Sequence, residues 1–181
     1  MSFIRDLRVK YHQYKFNNAV KTVRVNRASV NFAAAKTVGL LFDATDLDRR
    51  QRVLKFADEL KKQGKKISLL GFLQLREDTE NFAFPHFNLK DLDWGFGPGK
   101  SIEVQGFTQQ NFDVLINLSL TETIPLEYIA AISKAKFRVG PSVKNPECYE
   151  MMIDVSQSNS LEAYIKQVLL YLGKMNQPAS A

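Results

Sequence analysis

Carboxylates, amides and hydroxyls gather where three short apolar runs end in this 181-residue chain. Asp43, Thr45 and Asp46 close the run 36–43, and Gln74 follows the run 66–73. Asn117, Ser119, Thr121 and Glu122 follow the run 112–118. Runs of this kind read as strands of an open parallel sheet, whose ligands bind beyond the carboxyl ends of the strands. Asp43 stands out, because a carboxylate at the end of a buried strand needs a partner or a ligand. Its bland alternative is a helix cap or a hydrogen bond to the adjoining loop. Asp93-Trp94 offers a second candidate, a ring beside an acceptor that suits sugar or base stacking. The competing reading is a buried tryptophan anchoring an irregular loop.

No complete catalytic motif accompanies these residues. The chain lacks the glycine fingerprint of dinucleotide binding, the phosphate-binding loop and the serine elbow of hydrolases. Gly95-Phe96-Gly97-Pro98-Gly99-Lys100 is glycine-rich but mis-spaced, and Pro98 removes a donor, so it reads as a turn. The single cysteine, Cys148, excludes an intramolecular disulfide and a multi-cysteine metal site, and it reads as a packed thiol. His12 and His86 are far apart in sequence, which argues against zinc. No cofactor, metal or catalytic residue is expected.

These residues need elements to hold them. The apolar run 36–43 reads as a central strand buried on both faces. Thr45 or Asp46 then caps a helix through Leu60, and Gly64 stops it before the strand 66–73. Residues 74–111 carry too many aromatics for a linker, and they predict a folded excursion with a short strand near 101–104 or 87–94. Residues 112–140 form a strand–helix–strand unit with Pro125 in the first helical turn. A strand at 149–155 and a helix capped by Ser160 and ended by Gly173 complete the pattern. The fold class is α/β: a single Rossmann-like three-layer domain over 36–175 with a mostly parallel sheet. A basic helical leader over 1–35 precedes it, and a frayed tail over 176–181 follows.

Charge separates the leader from the body. Residues 1–36 hold eight bases and one acid, a net of +7, whereas the rest holds 17 bases and 18 acids, a net of −1. Ile4, Leu7, Tyr11 and Tyr14 form one helical stripe, and Arg5, Arg8, His12 and Lys15 form a second, one residue on. The simplest expectation packs the Tyr/Leu stripe on the domain and leaves the bases solvated. Alternatively Arg5, Arg8, Lys15, Lys21, Arg24 and Arg27 meet an anionic surface, either RNA or lipid headgroups. The third reading is contact with a protein partner or a second copy of the chain. No apolar run is long enough to span a membrane and no signal-peptide core is present, so the expected location is cytoplasmic.

Phe112-Asp113-Val114-Leu115-Ile116-Asn117-Leu118 and Arg138-Val139-Gly140 resemble part of the N-terminal half of heptosyltransferase-like GT-B glycosyltransferases. That resemblance covers about thirty residues and implies a strand–helix–strand unit. Asn117 stands where that family often has Asp, and 181 residues leave no room for a second nucleotide-binding half. Asp91-Leu92-Asp93-Trp94, Asn117-Leu118-Ser119 and Met152-Ile153-Asp154-Val155 resemble a small uncharacterised bacterial α/β family, which implies a fold and no activity. The reading that follows is a non-catalytic binding or interaction module. One alternative is a small nucleotide- or sugar-binding transferase-like enzyme using the strand-end edge. The other is RNA or anionic-surface binding through the N-terminal helix.

Overall fold

A computed structural model describes residues 2–77, 81–99, 101–144, 146–156 and 160–175; of residues 2–5 and 146 it describes the main chain alone. The expected tail from Asn176 lies outside the described residues. Helix α1 spans Ser2–Thr22, and strand β1 spans Thr37–Asp43. Then come α2 (Leu47–Lys62), β2 (Lys66–Leu73), β3 (His86–Asn88), α3 (Ile102–Thr108) and β4 (Val114–Asn117). After these follow α4 (Ile124–Ile132), β5 (Phe137–Pro141), β6 (Met151–Ile153) and α5 (Leu161–Lys174).

The six strands form one sheet in the order β3-β2-β1-β4-β5-β6, and every pairing is parallel. Parallel neighbours require crossovers, and these cover both faces. On one face α2 and α5 bury Val53, Phe56, Leu60, Tyr164, Val168 and Leu172 against Val38, Leu40, Phe42, Val114 and Ile116. On the other, α3, α4 and Phe16 of α1 cover Leu41, Leu70, Phe72 and Leu115. Strands β1 and β4 are therefore almost wholly apolar, whereas the edge strands β3 and β6 have three residues each. Short edges limit pairing with other chains.

Local signals place the helix ends. Asp46 Oδ1 accepts from Arg49 N at 2.8 Å, and Ser160 Oγ accepts from Ala163 N at 3.2 Å. Gly64 takes φ +82°, the left-handed conformation that releases the chain from α2 into β2. Several boundaries depart from expectation, and β6 covers only Met151–Ile153 of the expected 149–155. Residues 101–104 begin a helix and not a strand: Ser101 caps it, and Val104, Phe107 and Thr108 are buried on one face. The short strand of the excursion is β3. Gly173 does not end the last helix, which continues to Lys174.

Asp113 ties the start of β1 to β4. Its carboxylate accepts from Lys36 N at 2.9 Å, from Thr37 N at 3.0 Å and from Lys136 Nζ at 2.8 Å. Burial alone would raise its pKa, but the Lys136 ammonium and the main-chain donors hold it well below the ordinary carboxylate range. A carboxyl that resists protonation when folded stabilises fully above its unfolded value, about pH 4, and less as the pH falls further. Asp113→Asn should cost about 1.5–3 kcal/mol at pH 7, the range for hydrogen bonds to a charged group. The variant should also show a shallower loss of stability than wild type between pH 4 and 2 in urea titrations. Equal acid slopes in the two proteins would refute this role.

Candidate functional site: the strand ends and the leader cleft

The strand ends hold two closed hydrogen-bond networks. Asp43 Oδ1 accepts from Thr45 N at 2.9 Å, and Oδ2 accepts from Gln74 Nε2 at 2.7 Å. Thr45 Oγ1 accepts from Gln74 N at 2.8 Å. Asp43, Thr45 and Gln74 thus lock the turn after β1 to the turn after β2, while Asp46 serves as the α2 cap. The second network centres on Asn117, which is 1% exposed. Its Nδ2 donates to Tyr149 Oη at 2.6 Å, its Oδ1 accepts from Ser119 N at 3.1 Å, and its carbonyl accepts from Tyr164 Oη at 3.0 Å. Ser119 Oγ donates to the Thr121 carbonyl at 3.1 Å and lies 3.0 Å from Thr123 Oγ1. Thr121 offers only that main-chain acceptor, and the exposed Glu122 lies 3.8 Å from Lys144. Burial pushes the Tyr149 and Tyr164 hydroxyls above their ordinary pKa, and it pushes the Cys148 thiol up to about 12. A thiol so protonated is a packed hydrophobe. Asn117, Ser119, Thr123, Tyr149 and Tyr164 satisfy one another, as buried polar groups must, whereas Thr45 and Gln74 of the first network are exposed.

The leader behaves differently from its simplest expectation. Leu7 and Tyr14 of the apolar stripe are 49% and 66% exposed, and Tyr11 is exposed beside Trp94 at 5.2 Å between ring centres. The polar stripe faces the body. Arg8 Nε donates to the Trp94 carbonyl at 2.7 Å, and its guanidinium lies 3.7 Å over the Phe96 ring. His12 Nδ1 donates to the Gly95 carbonyl at 2.7 Å. Lys15 pairs with Asp93. The reason lies one turn on. Phe16 is buried against Tyr128 of α4, and that anchor rotates the helix so that Arg8, His12 and Lys15 meet residues 93–96.

Asp93 organises the glycine-rich turn. Its Oδ1 accepts from Gly95 N at 2.8 Å and from Gly97 N at 3.1 Å. The turn therefore cradles a carboxylate, but it is the chain's own. Burial would raise the Asp93 pKa, yet the Lys15 ammonium and the Gly95 N–H lower it overall. Burial lowers that of His12, so the imidazole is neutral near pH 7. Phe96 takes φ +61°, a conformation that costs a non-glycine residue about 1–3 kcal/mol and that clusters at ligand sites.

Between the first turns of α1 and this loop lies a cleft of ≈ 650 Å³, lined by Arg8, Arg76, Leu89, Lys90, Leu92, Asp93, Trp94 and Phe96. Arg76 follows β2 and Lys90 follows β3, so the cleft stands beyond strand carboxyl ends, at the sheet edge. Lys90 contacts Glu77 at 3.2 Å, and Trp94 is 49% exposed. Sequence reasoning offers Arg8, Asp93 and Trp94 of this lining as candidates. It misses Arg76, Lys90 and Phe96, because a three-residue β3 leaves little periodic signal. Of the other leader bases, Lys21 and Arg24 are exposed, and the Arg5 side chain lies outside the described residues. Arg27 is turned inward, donating to the Ala135 carbonyl and to the Ser133 carbonyl at 3.1 Å. It caps the end of α4 and is not a free surface base.

Among the described residues, no group of three or more His, Cys, Asp or Glu side chains could hold a metal, and no helix is long and apolar enough to cross a membrane. A doubly wound parallel sheet whose strand ends are closed by their own side chains defines an α/β module of the Rossmann-like class. Residues 8–175 match a family described as a family of unknown function (DUF6913), and the chain belongs to that family. No curated protein matches it. The 112–140 segment forms β4, α4 and β5, and Phe112, Val114, Leu115 and Ile116 of the glycosyltransferase-like motif are buried core positions.

Proposed function

We propose that this protein is a cytoplasmic, non-catalytic binding module whose ligand site is the leader cleft, and that it takes single-stranded RNA. One observation carries the reading: Arg8, Arg76 and Lys90 share a single cleft with the half-exposed Trp94 ring and with Phe96. Bases stack on exposed aromatic faces while cations meet the phosphates, and this combination tolerates sequence variation. The absorption of the buried Asn117 and Ser119 into a closed network supports binding over catalysis at the strand ends.

Trp94 is the only tryptophan, so its emission reports the cleft directly. Titration with a 12-mer oligouridine should quench it, and anisotropy of the labelled RNA should give an affinity that falls as salt rises. Trp94→Ala should weaken binding by about 1–3 kcal/mol, roughly 5–150-fold. Arg76→Ala should lower the slope of log K against log salt by about 0.7. Binding without quenching, or binding indifferent to both substitutions, would reject the cleft.

A further inference from the structure

Strand β2 is covered along only part of its outer edge. The β3 ladder begins at Gly71↔His86, where Gly71 N donates to the Pro85 carbonyl at 3.0 Å. The next rung down would need a main-chain N–H from residue 85, and proline has none. Lys66 N donates inward to Lys36 O at 2.7 Å. Alternation along the strand therefore turns the N–H and C=O of Ile67 and Leu69 outward. Among the described residues no strand lies opposite them. Below Pro85 that edge opens into a groove of ≈ 480 Å³ between α2 and α3. Its walls are largely apolar: Leu69, Phe84 and Phe107, with Ile102 at 79% exposure. Lys61 lines the groove on the α2 side, its ammonium 3.0 Å from Asp58 Oδ1, and the exposed Lys66 precedes Ile67 on β2. The one acid in the lining, Glu103, already accepts from Ser101 Oγ at 3.1 Å.

The geometry points to this open edge as a docking site for an extended peptide of a partner protein, alternating acidic and apolar, that adds a short strand beside Ile67–Leu69. Main-chain vacancies two residues apart select an extended backbone, whatever its sequence. Alternate side chains of that strand meet the apolar walls, and the lysines favour carboxylates on the others. The site is separate from the leader cleft and does not depend on RNA binding.

Gly106 supplies a clean block. It lies on the α3 wall, and a Cβ there would meet nothing within 4 Å. Gly106→Trp would fill the groove while sparing the core, and circular dichroism checks that the fold survives. The probe is fluorescein-labelled (Glu-Val)3-amide added to the full chain. It should bind saturably, slow amide exchange at Ile67 and Leu69, and bind at least tenfold more weakly to Gly106→Trp. A version N-methylated on every residue should bind at least tenfold more weakly, since neither of its edges retains a main-chain donor. The Lys61→Glu/Lys66→Glu pair should reverse the preference between (Glu-Val)3-amide and (Lys-Val)3-amide. Absence of saturable binding overturns the proposal, as does unaltered exchange at Ile67 and Leu69. Equal affinity for the N-methylated peptide also overturns it. A self-association in ultracentrifugation that Gly106→Trp abolishes would give the groove to a second copy and overturn the peptide occupant.

Discussion

Gly140→Ala should lower the melting temperature by roughly 6–12 °C, the equivalent of about 3 kcal/mol in a chain of this size. Gly140 lies in β5, where a Cβ would stand within 2.6 Å of three atoms of the Tyr149 ring. Neither neighbour can yield cheaply. The ring is 4% exposed, and its hydroxyl holds Asn117 Nδ2 at 2.6 Å. Moving it would leave the buried Asn117 amide short of a partner. The single methyl therefore acts twice, through overlap and through the buried network. Tyr149→Phe, which keeps the ring against Gly140 but removes the hydroxyl, should cost about 1–3 kcal/mol from the unsatisfied amide. Thermal and urea unfolding of both variants tests this. A loss below about 1 kcal/mol for Gly140→Ala would show that β5 and the ring separate freely.

Glu150→Gln is expected to cost about 3 kcal/mol, because it leaves two inward-facing guanidiniums without their counter-charge. Arg138 is 5% exposed. Its Nη2 donates to Glu150 Oε1 at 2.6 Å and its Nε donates to Oε2 at 3.0 Å, a two-pronged pair. Its Nη1 reaches the Ala131 carbonyl at 3.1 Å. Arg27 approaches the same carboxylate at 3.8 Å from the other side. Burial, reinforced by repulsion from Arg138, lowers the Arg27 pKa to about 10. Two cations therefore share one acid at the last carbonyls of α4. Removing Arg27 together with Glu150 should recover part of the loss, and urea unfolding of the single and double variants measures that coupling. Strict additivity would mean that the two guanidiniums do not compete for Glu150.

Much of the sheet is legible in the sequence. Continuous apolar runs of the kind at 37–43 and 66–73 are what a strand buried on both faces requires, and the caps at Asp46 and Ser160 follow from orphan N–H groups. β3 was only loosely placed, because three residues carry no period. The helix at 102–108 was missed for a related reason: a seven-residue element gives its cap more weight than its pattern. Asp43 illustrates the limit for the site. Its type and place signalled a need for partners, and Gln74, thirty-one residues away in sequence, supplies one only because β1 and β2 lie side by side.

By itself the sequence determined the class of fold, the cysteine chemistry and the localisation of charge in the leader, since each depends on composition or on short-range periodicity. Tertiary structure decided which leader residues turn inward. Burial of Phe16 against Tyr128 fixes the rotation of α1, and no local pattern of charges competes with the burial of an aromatic ring. Tertiary structure also brought Arg8, Arg76, Lys90 and Trp94 to one cleft and, among the described residues, left Ile67 and Leu69 without a strand opposite. Both outcomes depend on how separate segments meet in space, which nearest-neighbour chemistry along a chain does not encode.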